Sequence, residues 1–208
     1  MKKLLAGLIV LPALCVAGEL KPVELPAAQT DGGKPLMQVL KERKSSREFS
    51  ATRLPPQELS NLLWAAFGVN RADGKRTAPS AMDRQEIDIY VVTAEGLYLY
   101  EPNAHRLTPL LSGDLRASTG TQAFVRDAAV NLVYVADFGK LGNMPAEDKV
   151  FYSAANTGFI GQNVYLYCAS AGLATVVRGS VDRTALAKTM RLRPDQRIVL
   201  AQSVGYPK

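Results

Sequence analysis

Arg43-Lys44-Ser45-Ser46-Arg47-Glu48-Phe49 is the stretch of this 208-residue chain with the densest chemistry. Three cations and two hydroxyls fall within five residues. That donor set suits a phosphate monoester: Arg supplies a two-pronged fork, Lys a point charge and Ser a short donor. The same residues also suit a solvated basic helix end favoured by the helix dipole. Composition alone leaves both readings open.

On either side of this stretch the period of the apolar residues predicts helices. Leu36, Val39 and Leu40 recur at i, i+3, i+4 within Pro35–Arg43. After it, Leu54-Pro55-Pro56 opens a second helix with Pro in the first turn, where its missing N–H costs nothing. Leu59, Leu62, Leu63, Ala66 and Phe67 share one face of it, and Gly68 can end it. Trp64 sits beside that face and reads as a core or interface residue. Asn70–Gln85 is polar and turn-rich, a loop long enough to suggest function.

A strand is predicted over Ile87–Thr93. The Glu95-Gly96 and Pro102-Asn103 turns then set off Leu97–Tyr100 and a run towards Leu107 as a small meander. Val130–Ala136 is nearly continuous in apolar residues, as a central buried strand would be. Residues 146–171 read as a long helix rich in Ala, Gly and Asn, ending at Gly172. A short strand at Val176-Val177, a capped helix over Asp182–Leu192 and a last strand over Ile198–Val204 follow. Helices and strands are mixed without regular alternation, which predicts an α+β fold with helices flanking the sheet.

Composition narrows the function. Hydrophobic residues make up 47% and charged residues 21%, the balance of a globular protein. The formal net charge of +6 is scattered, which does not suggest a nucleic-acid binder. The two cysteines, Cys15 and Cys168, have no metal-ligand spacing, so no metal site is expected. The single histidine, His105, lies in a Pro-Asn turn and reads as a solvated turn residue. Gly68–Arg76 fails as a phosphate loop, because Arg76 stands where Ser or Thr would bind Mg²⁺.

Residues 1–17 have the three parts of a secretory signal peptide: Lys2-Lys3, an apolar run over Leu4–Leu14, and Cys15-Val16-Ala17 as a cleavage site. Cleavage there removes two of 25 basic residues, leaving 23 against 19 acidic and a net charge of +4. A periplasmic location follows as an expectation. Acylation at Cys15 is a lesser alternative, since Leu14 stands where a small residue is wanted. Residues 18–33, with Pro22, Pro26 and Gly32-Gly33, read as a linker or arm, and 34–208 as the folded domain.

Four segments in order resemble the nitroreductase family of flavin-dependent α+β oxidoreductases. Arg43–Phe49 is similar to its R-(R/K)-S-x-R-x-F signature. Thr77–Gln85 resembles its P-S-S-x-N-x-Q loop. Asn156–Gly172, followed by Leu173, resembles its long core helix, and Gln202–Pro207 its terminal V-G-Y-P strand. Gly96–Tyr100 through Gly113–Arg116 resembles the branch related to the azoline oxidases. The resemblance spans about residues 34–208 and implies a mostly antiparallel central sheet, a homodimer with a long core helix, and FMN at the dimer interface.

Carried over by position, the resemblance implies that Arg43 and Ser45 bind the FMN phosphate with Lys44 beside them. Arg47 would be the cation at the pyrimidine edge, where positive charge favours the reduced, anionic flavin. Pro79, Ser80, Ala81 and Asp83 would reach the flavin of the other protomer. Gly179 and Ser180 would approach its reactive edge, with Gln122 near the pyrimidine. Lys208 is the basic residue after the last strand that can complete the phosphate site. Asp83 departs from the family's usual Asn and, when ionised, only accepts hydrogen bonds. Lys149 and Tyr152 resemble a Lys-Tyr pair of some azoline oxidases at a different spacing, with an ordinary solvated Lys as the plain alternative.

The function implied is an exported FMN-dependent oxidoreductase acting on a small organic substrate (nitro, quinone or azoline-like) by ping-pong exchange through the flavin. No dedicated acid or base is evident. An exported enzyme would not meet NADH or NADPH, so a membrane redox partner or a directly oxidised organic donor is expected instead. A non-catalytic flavin- or tetrapyrrole-binding envelope protein on the same fold is the alternative.

Overall fold

The computed structural model describes residues 20–208; the expected signal peptide over residues 1–17, with Cys15, lies outside the described residues. Seven strands form one sheet in the order β1-β4-β3-β2-β5-β7-β6. They are β1 (Val23–Glu24), β2 (Ile87–Val92), β3 (Gly96–Glu101), β4 (Arg106–Ser112), β5 (Val130–Asp137), β6 (Ala174–Arg178) and β7 (Gln196–Gly205). Every neighbouring pair is antiparallel. Four α-helices complete the fold: α1 (Leu36–Glu42), α2 (Pro56–Phe67), α3 (Ala146–Ala171) and α4 (Arg183–Thr189).

The two-residue period of the central strands builds a core on each face of the sheet. Ile87, Ile89 and Val91 of β2 join Leu132, Tyr134 and Ala136 of β5 on one face, against Leu62, Leu63, Ala66 and Phe67 of α2 and Ile160, Val164 and Cys168 of α3. Tyr90, Val92, Val133 and Val135 point the other way, onto Leu186 and Met190 at α4. All eight residues of β5 are buried, Asn131 and Asp137 included, as its nearly continuous apolar run predicts.

The 26 residues of α3 cover about 39 Å at 1.5 Å per residue. Glu147 and Asp148 in its first turn complement the helix dipole. Gly172 ends it in the left-handed conformation at φ 74, and Leu173 N–H closes back on Cys168 O at 2.8 Å. Gly161 lets the helix lie close to the sheet: a Cβ there would stand 3.3 Å from Val177 Cγ2 and 3.5 Å from Gln202 Oε1. Beneath it, the buried Tyr134 hydroxyl donates to Gln202 Oε1 at 2.6 Å.

The predicted helix over Asp182–Leu192 is shorter in the structure. Asp182 caps it by accepting from Ala185 N–H at 2.9 Å, and Arg191 adopts φ 55, which a helix cannot continue through. Residues 20–33 are fastened to the domain. β1 pairs with β4, Ser60 Oγ donates to Pro26 O at 2.5 Å, and Asn61 Oδ1 accepts from Gln29 N–H at 2.8 Å.

His105 does sit in a turn, at φ 49, but its half-buried ring is not left to solvent. Its Nε2 lies 2.7 Å from Ser60 Oγ and its Nδ1 3.0 Å from Tyr100 OH. A neutral ring protonated at Nε2 fits this chain of bonds: Tyr100 donates to Nδ1, and Nε2–H donates to Ser60, which donates to Pro26 O. Burial lowers the His105 pKa. One of the hydrogen bonds that bind the arm, Ser60 to Pro26, is therefore backed by a neutral histidine.

Candidate functional site

The Arg43–Phe49 segment is extended and lies along β6. α1 stops at Glu42, and Arg43 takes φ −55, ψ 123 while its N–H donates to Val39 O. Ser46 N–H donates to Thr175 O at 2.9 Å. Phe49 is the anchor, 5% exposed among Ala128, Ala174 and Val176, with its ring 6.1 Å from that of Phe124. It bridges to Pro207, and Ser50 N–H donates to Tyr206 O. That pairing brings the chain's last residues to the motif.

The side chains sort along this track. Ser45 Oγ shares a hydrogen bond of 2.8 Å with Tyr165 OH, which accepts from Val177 N–H at 2.9 Å. The Arg43 guanidinium stands over the Tyr165 ring, 5.2 Å from its centre. Lys44 and Ser46 line a cavity of about 470 Å³ with Lys34, Tyr165 and Thr175. Arg47 and Lys208 line a second cavity of about 330 Å³ with Glu48, Phe49 and Asp127. Among the described residues, Arg43, Lys44, Arg47 and Lys208 pair with no carboxylate within 4.0 Å. Uncommitted cations beside a serine hydroxyl are the donor set a phosphate monoester needs.

Gly179 and Ser180 follow β6 directly and are exposed. Ser180 O accepts from Thr121 N–H at 3.1 Å, which brings Gln122 beside them. A Cβ on Gly179 would meet nothing nearer than Leu200 Cδ2 at 3.9 Å, so the space over this backbone is open. Beneath the turn, the buried Arg178 guanidinium donates to Thr119 O at 2.8 Å, Asn131 Oδ1 at 3.0 Å and Ser203 Oγ at 3.1 Å.

The loop of Pro79, Ser80, Ala81 and Asp83 stands apart from these residues. Met82, Asp83 and Gln85 all have positive φ, at 53, 54 and 48. Such backbone persists only where its surroundings hold it, and here they do. Ser80 Oγ accepts from Gln85 N–H at 2.7 Å and donates to Glu86 Oε2 at 3.3 Å. Asn156 donates from Nδ2 to Glu86 Oε1 at 2.9 Å and accepts from Ala81 N–H at 3.2 Å. Glu86 is fully buried and Asn156 nearly so. Asp83 accepts from Gln85 Nε2 at 3.0 Å.

α3 gives the separation. The loop is tied to Asn156 and Ser45 to Tyr165, nine positions later, or about 14 Å along the axis. One chain therefore gathers Arg43, Lys44, Ser45, Arg47, Lys208, Gly179, Ser180 and Gln122 along the β6 track, and puts Pro79–Asp83 at a different station. Beside that station Val150, Phe151 and Phe159 of α3 and Met82 of the loop are exposed apolar side chains; Leu36, Met37 and Leu40 of α1 are exposed as well, but α1 packs near the other end of α3. Gly158 lies on the exposed side of α3, where a Cβ would meet nothing within 4 Å. A patch of this kind marks an interaction surface.

Other side chains have structural work. Trp64 Nε1 donates to Val69 O at 3.0 Å, and its ring lines a groove with Leu36 and Tyr167. Lys149 is half-buried and its ammonium donates to Phe138 O at 3.3 Å, so it is not simply solvated. Cys168 is fully buried and burial pushes its thiol pKa up, which makes it inert. No group of three or more His, Cys, Asp or Glu gathers among the described residues.

Glu86, Asn156 and Arg178 were not singled out from the sequence. Each is a polar residue inside or beside an apolar run, which is the available signal. Their partners lie far off in sequence.

Comparison with known proteins identifies the family and the fold. The profile of the nitroreductase family matches residues 40–206. A nitroreductase homologue of Methanocaldococcus jannaschii is 30% identical over 168 residues, covering 76% of this chain and 85% of its own. The crystal structure of a nitroreductase homologue from Ralstonia eutropha superposes with a TM-score of 0.87 at 44% identity, covering 98% of this chain and 96% of that one. An NADPH:FMN oxidoreductase from Vibrio harveyi, solved with NAD⁺, shares the fold at a TM-score of 0.63 and 20% identity, covering 83% and 69%.

Proposed function

Because the chain belongs to the nitroreductase family, we propose that it is an FMN-dependent oxidoreductase that works as a homodimer, each site built by both protomers. The observation that carries this is the division of labour along α3. Uncommitted cations and open backbone gather on one track, and the strained loop projects from another station beside an exposed apolar face. A second copy covering that face would bring a loop to each track.

The residues fit the cofactor. Arg43, Lys44, Ser45 and Lys208 would hold the phosphate. Arg47 would place positive charge at the pyrimidine edge, and the Gly179–Ser180 backbone would lie against the flavin ring where no side chain intrudes. Pro79–Asp83 of the second copy would cover the site, with Glu86 and Asn156 fixing the loop's shape. Bound FMN supplies two-electron chemistry in two half-reactions, accepting from a donor and then delivering to a small organic acceptor of nitro, quinone or azoline-like type. Protons would come from solvent, with no acid or base of the chain assigned to the reaction. Asp83 presents a carboxylate and would favour substrates with donor groups.

The signal-peptide pattern puts the enzyme in the periplasm. There its electrons would come from a membrane redox partner or an organic donor, with no call on a nicotinamide nucleotide. FMN titration followed by the visible spectrum tests the core of the reading. Bound flavin is expected, and Arg43→Ala should weaken it by about 10- to 100-fold, the worth of a charge-assisted hydrogen bond. A colourless protein that ignores FMN would refute the proposal. Rapid turnover with NADPH, together with a cytoplasmic location on fractionation, would refute its periplasmic part.

A further inference from the structure

Arg178 carries a charge that the fold does not need for its hydrogen bonds. It ends β6 one residue before Gly179 and is 3% exposed. Nε donates to Ser203 Oγ, Nη1 to Thr119 O, and Nη2 to Asn131 Oδ1 and, at 3.3 Å, to Thr119 Oγ1. All four acceptors are neutral, and among the described residues no carboxylate lies within 4.0 Å of the guanidinium. Burial is the sole cause that lowers its pKa, to about 10, so it remains charged at neutral pH. Buried charges are ordinarily paired. This one is held by dipoles alone.

Its position is as specific as its charge. A Cβ on Gly120 would stand 2.0 Å from Arg178 Nη1, so the guanidinium lies directly against the 119–121 backbone. The same backbone holds the cofactor turn, through Thr121 N–H to Ser180 O. The cation thus sits under the Gly179–Ser180 turn and beside the Gln122 segment, shielded from solvent. Arg47 is exposed and screened by water and salt; Arg178 is not.

We propose that Arg178 is the site's buried counter-charge: it positions the Gly179–Ser180 turn and favours the anionic reduced form of FMN bound above it. The inference rests on the FMN reading. Uptake of two electrons and one proton leaves the flavin ring with one negative charge, and a second proton would neutralise it. An unpaired cation nearby favours the charged product over both oxidised FMN and the doubly protonated form.

The test is the ratio of affinities for reduced and oxidised FMN, read as the midpoint potential of the bound cofactor during dithionite titration with reference dyes. Arg178→Gln removes the charge. Asn131→Asp keeps the Oδ1 acceptor and adds a carboxylate that neutralises the charge, at the loss of the Nδ2 donation to Val125 O. Both should lower the ratio about tenfold, which is about 30 mV for a two-electron couple. Arg178→Lys keeps the charge and should stay within about threefold of wild type. If Arg178→Gln does not fold, Asn131→Asp and Arg178→Lys decide. Bound FMN with an unmoved ratio in Asn131→Asp, or a Lys variant as low as the neutralised ones, would overturn this inference alone. A wild-type protein that takes up no FMN would overturn the functional reading beneath it as well.

Discussion

Glu86→Ala should damage a binding site that Glu86 does not touch. The carboxylate is fully buried and accepts from Asn156 Nδ2 at 2.9 Å and Ser80 Oγ at 3.3 Å. Truncation leaves the Asn156 donor without a partner in a position only 2% exposed. An unmet buried donor costs about 1–3 kcal/mol. Taking about 2 kcal/mol, and the 2–4 °C per kcal/mol typical of a domain this size, the melting temperature should fall by roughly 4–8 °C. Ser80 and Asn156 also hold Ser80–Gln85 in its positive-φ path, so the loop should loosen. Hydrogen exchange over residues 79–85 should speed up, and FMN affinity should drop about tenfold, or about 1.4 kcal/mol. Glu86→Gln retains Oε1 for Asn156 and should lose much less on every readout. Differential scanning calorimetry, exchange mass spectrometry and FMN titration on the three proteins make the comparison. An unchanged melting temperature in Glu86→Ala would refute the packing argument. A lower one with unchanged exchange and FMN affinity would refute the link from Glu86 through the loop to the site.

Two further predictions concern the arm and the apolar face. Burial holds the folded-state His105 pKa below the unfolded value of about 6.5, so the folded state takes up its proton less readily. The stabilisation is fully present above that value and is lost as pH falls from about 6.5 through the folded pKa. Thermal melts at pH 8 and pH 5 should show the loss, and His105→Gln should flatten it; a wild-type melt that is no steeper in pH than the variant's would contradict the neutral-histidine network. Phe159→Glu, placed on the exposed face of α3, should give a monomer in analytical ultracentrifugation with unchanged far-UV circular dichroism and weak FMN binding. A dimer that persists with full FMN binding would put the interface elsewhere.

The elements legible in the sequence were those with a strong local signal. Small residues and a closing glycine mark α3 from Ala146 to Ala171, and nearly continuous apolar character marks β5. The Arg43–Phe49 stretch stands out in the sequence as a set of donors, and its Phe49 proves to be the peg that fixes the whole segment beside β6. What stayed hidden depends on contacts far apart in sequence. Glu86 meets Asn156 seventy residues away, and Arg178 meets Thr119 and Asn131 at separations of 59 and 47. His105 looks like a solvated turn residue because the groups that bury it, Ser60 and the arm, come from another part of the chain. β1 has two residues and owes its existence to pairing with β4, so no periodicity announces it.

The central claim is that each FMN site takes its cations from one protomer and its loop from the other. Mixed dimers test it most directly. One copy carries Arg43→Ala, the other Ala81→Trp in the loop, and two affinity tags isolate the dimer that contains one of each. Either variant alone should bind FMN poorly. In the mixed dimer one site combines an intact Arg43 track with an intact loop, so the account predicts about one tightly bound FMN per dimer. If the mixed dimer binds no better than the two parent variants, the loop does not serve the partner's site, and the shared-site account is wrong.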